Sequence, residues 1–247
     1  MICITPAHGP QAEKSFEWGW STKVVDRMAE ILRGYKYPNG QPYQVQRCNK
    51  NGANTGTSGY SLKETYALVK KYGSECVVSL VPHWNGCGGR RYAAIKGGKE
   101  DYTRPDSIKL LECIVEEAKL VKEKRSSFKT LPVDSKGNDA MSGTVTVEHF
   151  PSRKKKDKKT GVEYVSHKSS DGATMPKCAC ALTENWFADF PSSENFKKTS
   201  REVLQNGKDE TTGRYKFMSG WLYSAEGVET IAQLNAKGIK RYIDGLS

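Results

Sequence analysis

The hydrophobic positions of this chain switch repeatedly between two periods. Short apolar runs bounded by turn residues alternate with longer stretches in which apolar residues recur every three or four positions. That alternation predicts strands and helices in turn, hence an α/β layer fold with a largely parallel sheet. Ile2–Ala7 reads as a first strand, and Ser15 can cap a helix over 16–33 whose stripe is Ser21, Val24, Met28 and Ile31, with Val25 and Leu32 beside it. Gly34 and Pro38-Asn39-Gly40 end that helix, Tyr43–Cys48 is the next strand, and 49–59, rich in Asn, Gly, Thr and Ser, is a loop. Ser61-Leu62-Lys63-Glu64 is a capping-box start for a helix ending near Tyr72-Gly73, and Cys76–Pro82 is a buried central strand. A Gly-rich loop at 85–89 and a short strand at 91–96 come next. A long helix at 105–124 follows, its stripe being Ile108, Leu111, Val115, Ala118 and Val121. Residues 143–150 and 161–167 alternate like the arms of a hairpin with a lysine run at its tip. A last strand at 177–184 and helices near 193–205 and 227–243 close the pattern, with no internal repeat. The whole of 1–247 reads as one domain.

Composition narrows the class without naming it. With 36% hydrophobic and 27% charged residues the chain is too apolar for disorder. No apolar run approaches the roughly 18 residues of a membrane span. Ile2–Ile4 runs straight into Thr5-Pro6-Ala7-His8 with no basic leader, so signal-directed secretion is not expected. The seven residues Arg153–Lys159 carry six basic groups and one acidic, hence +5 of the net +11. Such a field attracts polyanions in general: nucleic acid, anionic lipid or an anionic cell wall. Seven cysteines, an odd number, argue against a disulfide framework. Cys178-Ala179-Cys180 could form half of a zinc site, but no second pair stands at a matching spacing. Reduced and buried is the better expectation for Cys3, Cys48, Cys76, Cys113, Cys178 and Cys180.

The chemistry enters through the histidines, of which there are only four: His8, His83, His149 and His167. His8 and His83 each follow the carboxyl end of an expected strand, and Glu184 ends another. In open α/β sheets the ligand crevice lies outside those ends. Glu17 adds a fourth group, since it heads the core-facing stripe of the first helix, where an unpaired carboxylate would be costly. Two His and one Glu leaving a position open is a catalytic zinc set. Each member also has a bland reading: a hydrogen-bonded loop histidine, or a first-turn glutamate that favours the helix dipole.

Thr5-Pro6-Ala7-His8-Gly9 resembles the "DPGHG" opening of the zinc-dependent N-acetylmuramoyl-L-alanine amidases. Glu17 with the amphipathic helix after it, Ser61–Glu64 with Val78–Asn85, and Met175-Pro176 through Phe187 are similar to that family's further blocks, in order along nearly the whole chain. The resemblance implies a mixed, mostly parallel sheet of about six strands flanked by helices in three layers, with the basic hairpin as an addition. It implies one zinc per chain held by His8, Glu17 and His83, with Glu184 as the catalytic carboxylate. It further implies hydrolysis of the bond between N-acetylmuramic acid and L-alanine in bacterial peptidoglycan. Here Ala7 replaces the family's Gly, Ser21 its helix Asn and Asp189 its final Asn, and a short 8–17 stretch leaves Glu13 as a rival ligand.

Trp84, Asn85, Arg90, Arg91 and Trp186 are candidate substrate contacts, and Trp18 and Trp20 either line the same cleft or pack in the core. His149 and His167 are expected to face each other in the hairpin. The lysine run would hold anionic cell-wall polymer or serve only as a solvated tip. On this reading the protein is made in the cytoplasm without a signal peptide and acts on the wall, in the manner of a phage lysin. Two rivals stand beside it: a wall-binding protein on the same scaffold without catalysis, and a basic nucleic-acid-binding protein. No nucleic-acid motif appears.

Overall fold

Parallel strands are buried on both faces and so read as unbroken apolar runs, and the run Ile2-Cys3-Ile4 is fully buried. The computed structural model describes residues 1–7, 16–48, 67, 69–85, 94–95, 104–133, 145–147, 153–166, 176–187 and 207–246. Its elements are β1 (Ile2–Ile4), α1 (Phe16–Arg33), β2 (Val45–Arg47), β3 (Val78–Asn85), β4 (Ala94–Ile95), α2 (Pro105–Glu123), β5 (Val145–Val147), β6 (Arg153–Lys156), β7 (Glu163–Ser166), β8 (Ala179–Phe187), α3 (Met218–Tyr223) and α4 (Ala225–Asp244). The main sheet has the order β2-β1-β3-β8-β5-β4. Every neighbouring pair is parallel except β5–β8. This is the mostly parallel, helix-flanked sheet that the sequence predicts.

The period of two sorts the strands onto two faces. Ile2, Ile4, Val78, Leu80, Ala179 and Ala181 join α1, α2 and α4 in the larger core. Cys3 and Cys180 point the other way, into a second cluster with Cys48, Cys76, Cys178 and Val69, against which Met1 and Tyr72 pack. The expectation of burial holds for these five, and Cys113 is half-buried. No described helix is long and apolar enough to cross a membrane.

In α1 the expected stripe is buried at Ser21, Val24, Val25, Met28 and Leu32. In α2 the buried set is Ser107, Leu110, Leu111, Ile114, Val115, Glu117 and Ala118, so the stripe is rotated and Ile108 and Val121 lie at its margin. The rotation comes from α4, which packs along α2 and covers a second side of it. Arg241 of α4 reaches Glu117 of α2 at 2.6 Å, which explains a carboxylate on the buried side.

The seam between α2 and α4 closes at Gly238. A Cβ added there would stand 2.6 Å from Ile114 Cγ1 and 2.8 Å from Ile114 Cα. Gly238→Ala gains about 1 kcal/mol of helix propensity, but forcing the helices apart costs typically 1–3 kcal/mol. Because one obstacle is backbone, the clash wins. The variant should unfold at lower denaturant than the parent in a urea titration, and an unchanged or higher midpoint would show that the seam can relax.

The basic hairpin is present, but its arms differ from those the alternation suggests. β6, the lysine run itself, pairs antiparallel with β7, with Lys155 opposite Tyr164. The tip is the turn at 157–161, where Asp157 Oδ1 accepts from the amides of Lys159 and Thr160 and Gly161 takes φ 71°. Val145–Val147, expected as an arm, is instead a strand of the main sheet, antiparallel to β8. Alternation alone cannot say which strand is the partner; the Asp and Gly of the turn can. Of the helix expected from Ser61 to near Tyr72-Gly73, residues 67, 69 and 70 are helical and 61–66 lie outside the described residues, as do His149, His167 and the helix expected near 193–205.

Candidate functional site

β3 and β8 lie side by side at the centre of the sheet, and their register sets His83 directly opposite Glu184. Both side chains are partly buried. Glu17 enters from the first turn of α1, with Oε1 2.9 Å from His83 Nδ1. The Glu17 and His83 side chains are 13% and 17% exposed, shielded yet within reach of solvent. Three of the four groups singled out in the sequence therefore meet at one edge of the sheet. His8 and Glu13 lie outside the described residues, and so do Arg90 and Arg91. Ala7, buried, brings the chain to the residue before His8.

Three polar residues that the sequence does not flag as functional hold this edge together. Ser21, one turn after Glu17, accepts from the Ala7 amide at 2.8 Å and donates to the Pro82 carbonyl at 2.6 Å. One hydroxyl thus ties the end of β1, the helix carrying Glu17 and the residue before His83. Asn185, fully buried beside Glu184, donates to the His83 carbonyl at 3.1 Å and to the Thr183 carbonyl at 3.2 Å. Its Oδ1 accepts from Asn235 of α4 at 3.1 Å, and Asn235 also donates to the Ile231 carbonyl at 2.9 Å. Their signal in the sequence is faint: Ser21 and Asn235 are polar residues at core-facing helical positions.

The register of β3 and β8 slips after His83, so that Asn85 pairs with Phe187 and β8 carries one extra residue. Trp186 sits in this bulge at φ 57°, in a conformation rare for a bulky side chain. Bulges of this kind re-aim side chains next to functional sites. The Trp186 ring is 1% exposed and meets Trp221 edge to face at 5.9 Å. It is therefore part of the core, not an open wall of the site. Trp20 is also core, its Nε1 donating to the Leu222 carbonyl at 2.9 Å. Of Trp84 and Asn85 only the backbone is described, within β3.

Among the described residues no group of three or more His, Cys, Asp or Glu is placed to hold a metal ion. The His83–Glu17 pair nonetheless fits one. Two ligands at about 2.0–2.1 Å from a tetrahedral zinc stand about 3.3 Å apart, a few tenths beyond the 2.9 Å separation seen here. A small adjustment would let both side chains hold one ion.

No protein-family model matches the chain, and comparison with curated protein sequences finds no relative. Among solved structures it is similar to an N-acetylmuramoyl-L-alanine amidase from Clostridium difficile 630, with 13% identity over 100% of this chain and 97% of that one and a TM-score of 0.52. The catalytic domain of CwlV, an N-acetylmuramoyl-L-alanine amidase from Bacillus (Paenibacillus) polymyxa var. colistinus, aligns at 13% identity over 99% of both chains, with a TM-score of 0.48. The CwlD amidase from Clostridioides difficile, solved with the GerS lipoprotein, aligns at 16% identity over 99% and 98% of the two chains, with a TM-score of 0.47. These two score lower and add no weight. An identity of 13% speaks for architecture and leaves activity to the site, so the conclusion is one of fold: the chain has the α/β fold of the Clostridium difficile 630 amidase.

Proposed function

We propose that this protein is a zinc-dependent N-acetylmuramoyl-L-alanine amidase that cleaves bacterial peptidoglycan. The observation that carries the reading is the convergence of Glu17, His83 and Glu184 at one sheet edge, in the fold of a solved amidase. His83, Glu17 and His8 would hold the ion, which supplies Lewis-acid polarisation of the scissile carbonyl and acidifies an attacking water toward neutral pH. Glu184 takes a proton from that water at its carboxylate and delivers it to the leaving nitrogen of L-alanine. The C–N bond breaks, and a carboxylate remains on the lactyl group of N-acetylmuramic acid. Glu17 Oε1 and His83 Nδ1 already face each other at 2.9 Å, so the two proposed ligands are held close together before an ion binds. Ser21 and Asn185 hold the backbone on either side of the reacting groups, so little reorganisation is left for the reaction itself.

The basic hairpin serves this reading as an anchor on anionic wall polymer. Its lysines lie on an exposed ribbon with Val162, Tyr164 and Val165 also open to solvent, and Lys154 pairs with Glu163 at 3.0 Å. Trp84, Asn85, Arg90 and Arg91 remain its proposed substrate contacts. The site of action is the cell wall.

Mass analysis of digested peptidoglycan tests the function, because each class of wall hydrolase leaves different new ends. Free L-alanine amino termini and intact glycan chains are expected; new reducing sugars or cleaved stem cross-links would overturn the assignment. The same digest run with Lys154, Lys155, Lys156, Lys158 and Lys159 changed to Gln should be slowed on whole walls and hardly altered on a small soluble muropeptide. Salt should mimic the change, since exposed charges act over roughly 8–10 Å at physiological ionic strength. Equal loss on both substrates would place the hairpin in the active site instead.

A further inference from the structure

The second face of the sheet holds a feature that the proposed function does not use. Five cysteines lie together there, and three of their sulfurs stand in sequence: Cys3 Sγ to Cys76 Sγ 3.6 Å, and Cys76 Sγ to Cys178 Sγ 3.5 Å. Cys180 Sγ follows 4.0 Å beyond Cys178. Cys76 is the hub, and two neighbours compete for it.

The backbone decides between them. Cys3 lies in the middle of β1, paired on both sides, and is wholly buried. Cys76 and Cys178 each lie just outside a strand, before Val78 and Ala179, and each is 6% exposed. Their segments are held side by side by the Ala179 amide, which donates to the Val77 carbonyl at 3.2 Å. Closing the sulfurs to the roughly 2.05 Å of a disulfide asks for about 1.5 Å of movement, which strand-entry residues can supply and a residue inside a ladder cannot.

We propose that Cys76 and Cys178 form a redox-controlled disulfide that staples β3 to β8 at the ends opposite His83 and Glu184. The oxidant is a peroxide. The Cys76 thiolate attacks one peroxide oxygen and the O–O bond breaks; with one proton taken up, sulfenic acid and a first water result. The Cys178 sulfur then displaces hydroxide from the sulfenic sulfur, its thiol proton leaving with it as a second water. Two thiols lose two electrons and the peroxide gains them. The cluster favours Cys76 as the first nucleophile, because hydrogen bonding with Cys178 and then Cys3 holds its thiol below the usual thiol range while Cys178 is pushed up, chiefly by Cys180.

The staple joins residues 102 apart, so it removes much freedom from the unfolded chain. It also locks the register of the two strands that carry the site. An enzyme acting in the wall, outside the reducing cytoplasm, meets the conditions that would form it; that link rests on the proposed function, whereas the test below does not involve hydrolysis.

The reduced full-length chain is treated with hydrogen peroxide, alkylated and mapped by mass spectrometry without reductant. A Cys76–Cys178 peptide pair lighter by two hydrogens is expected, together with a melting temperature raised by roughly 5–10 °C and restored by dithiothreitol. Cys178→Ala should abolish both the linked pair and the shift. Should that variant fail to fold, differential alkylation of the parent serves in its place, with protection of Cys76 and Cys178 together expected. A dominant Cys3–Cys76 link, linkage through Cys87 or Cys113, or oxidation to sulfinic acid without any link would overturn the proposal.

Discussion

Replacing Glu184 with Gln is expected to lower peptidoglycan hydrolysis by a factor on the order of 10² or more, while zinc content and melting temperature stay near those of the parent. The amide keeps the shape of the side chain and removes its basicity. The backbone at this position is fixed independently of the carboxylate, through the β3–β8 ladder and through the neighbouring Asn185, whose side chain ties β8 to the His83 carbonyl. The substitution therefore reports on proton transfer and hardly on folding. Two other outcomes carry a different meaning. A fall in zinc affinity along with activity would make Glu184 a ligand. A loss of about 1 kcal/mol of stability with turnover intact would make it a strand-end carboxylate satisfied by hydrogen bonds, and the proposed amide hydrolysis would then lack its base.

Why Glu184 and His83 could be found in the sequence at all, while the residues that position them could not, follows from the range of the interactions. A residue at the carboxyl end of a strand is recognisable from local pattern, and the parallel topology then does the rest: His83 and Glu184 stand in one register because β3 and β8 are neighbours. Glu17 was legible for the same reason, as the polar head of an apolar helical stripe. Ser21 and Asn235 were not. Their partners lie 61 and 50 residues away, and local periodicity carries no trace of such distant hydrogen bonds. The rotation of the α2 stripe has the same origin, since α4 meets that helix from the far end of the chain. The lysine hairpin shows the converse error. Alternation over 143–150 suggests an arm of the hairpin, but Val145–Val147 pairs with β8, and the Asp157 and Gly161 turn chemistry marks the true partner. Short α3 left no periodic signal in six residues, yet it supplies Trp221 beneath the bulge.

His83→Ala is expected to empty the metal site and leave the fold standing. The structural duties of residue 83 are discharged by its backbone, which stays in β3 and whose carbonyl still accepts from Asn185. Only the ring, facing Glu17, is lost. Removing a ligand outright should lower zinc affinity by more than the roughly 10–100-fold typical of disturbing a ligand's own partner. Melting curves complete the argument. Zinc that binds only the folded chain stabilises it in proportion to the logarithm of its concentration, by about 4 kcal/mol at a thousandfold excess over Kd. Chelation should therefore bring the parent down to the melting temperature of His83→Ala, and the variant itself should not respond to chelator. Glu17→Ala should behave in the same way, and Glu13→Ala should not. A variant melting well below the chelated parent would make His83 a structural residue. Zinc retained in His83→Ala but lost when Cys178 and Cys180 are both changed to Ser would move the metal to the other face of the sheet and remove the site proposed at its edge.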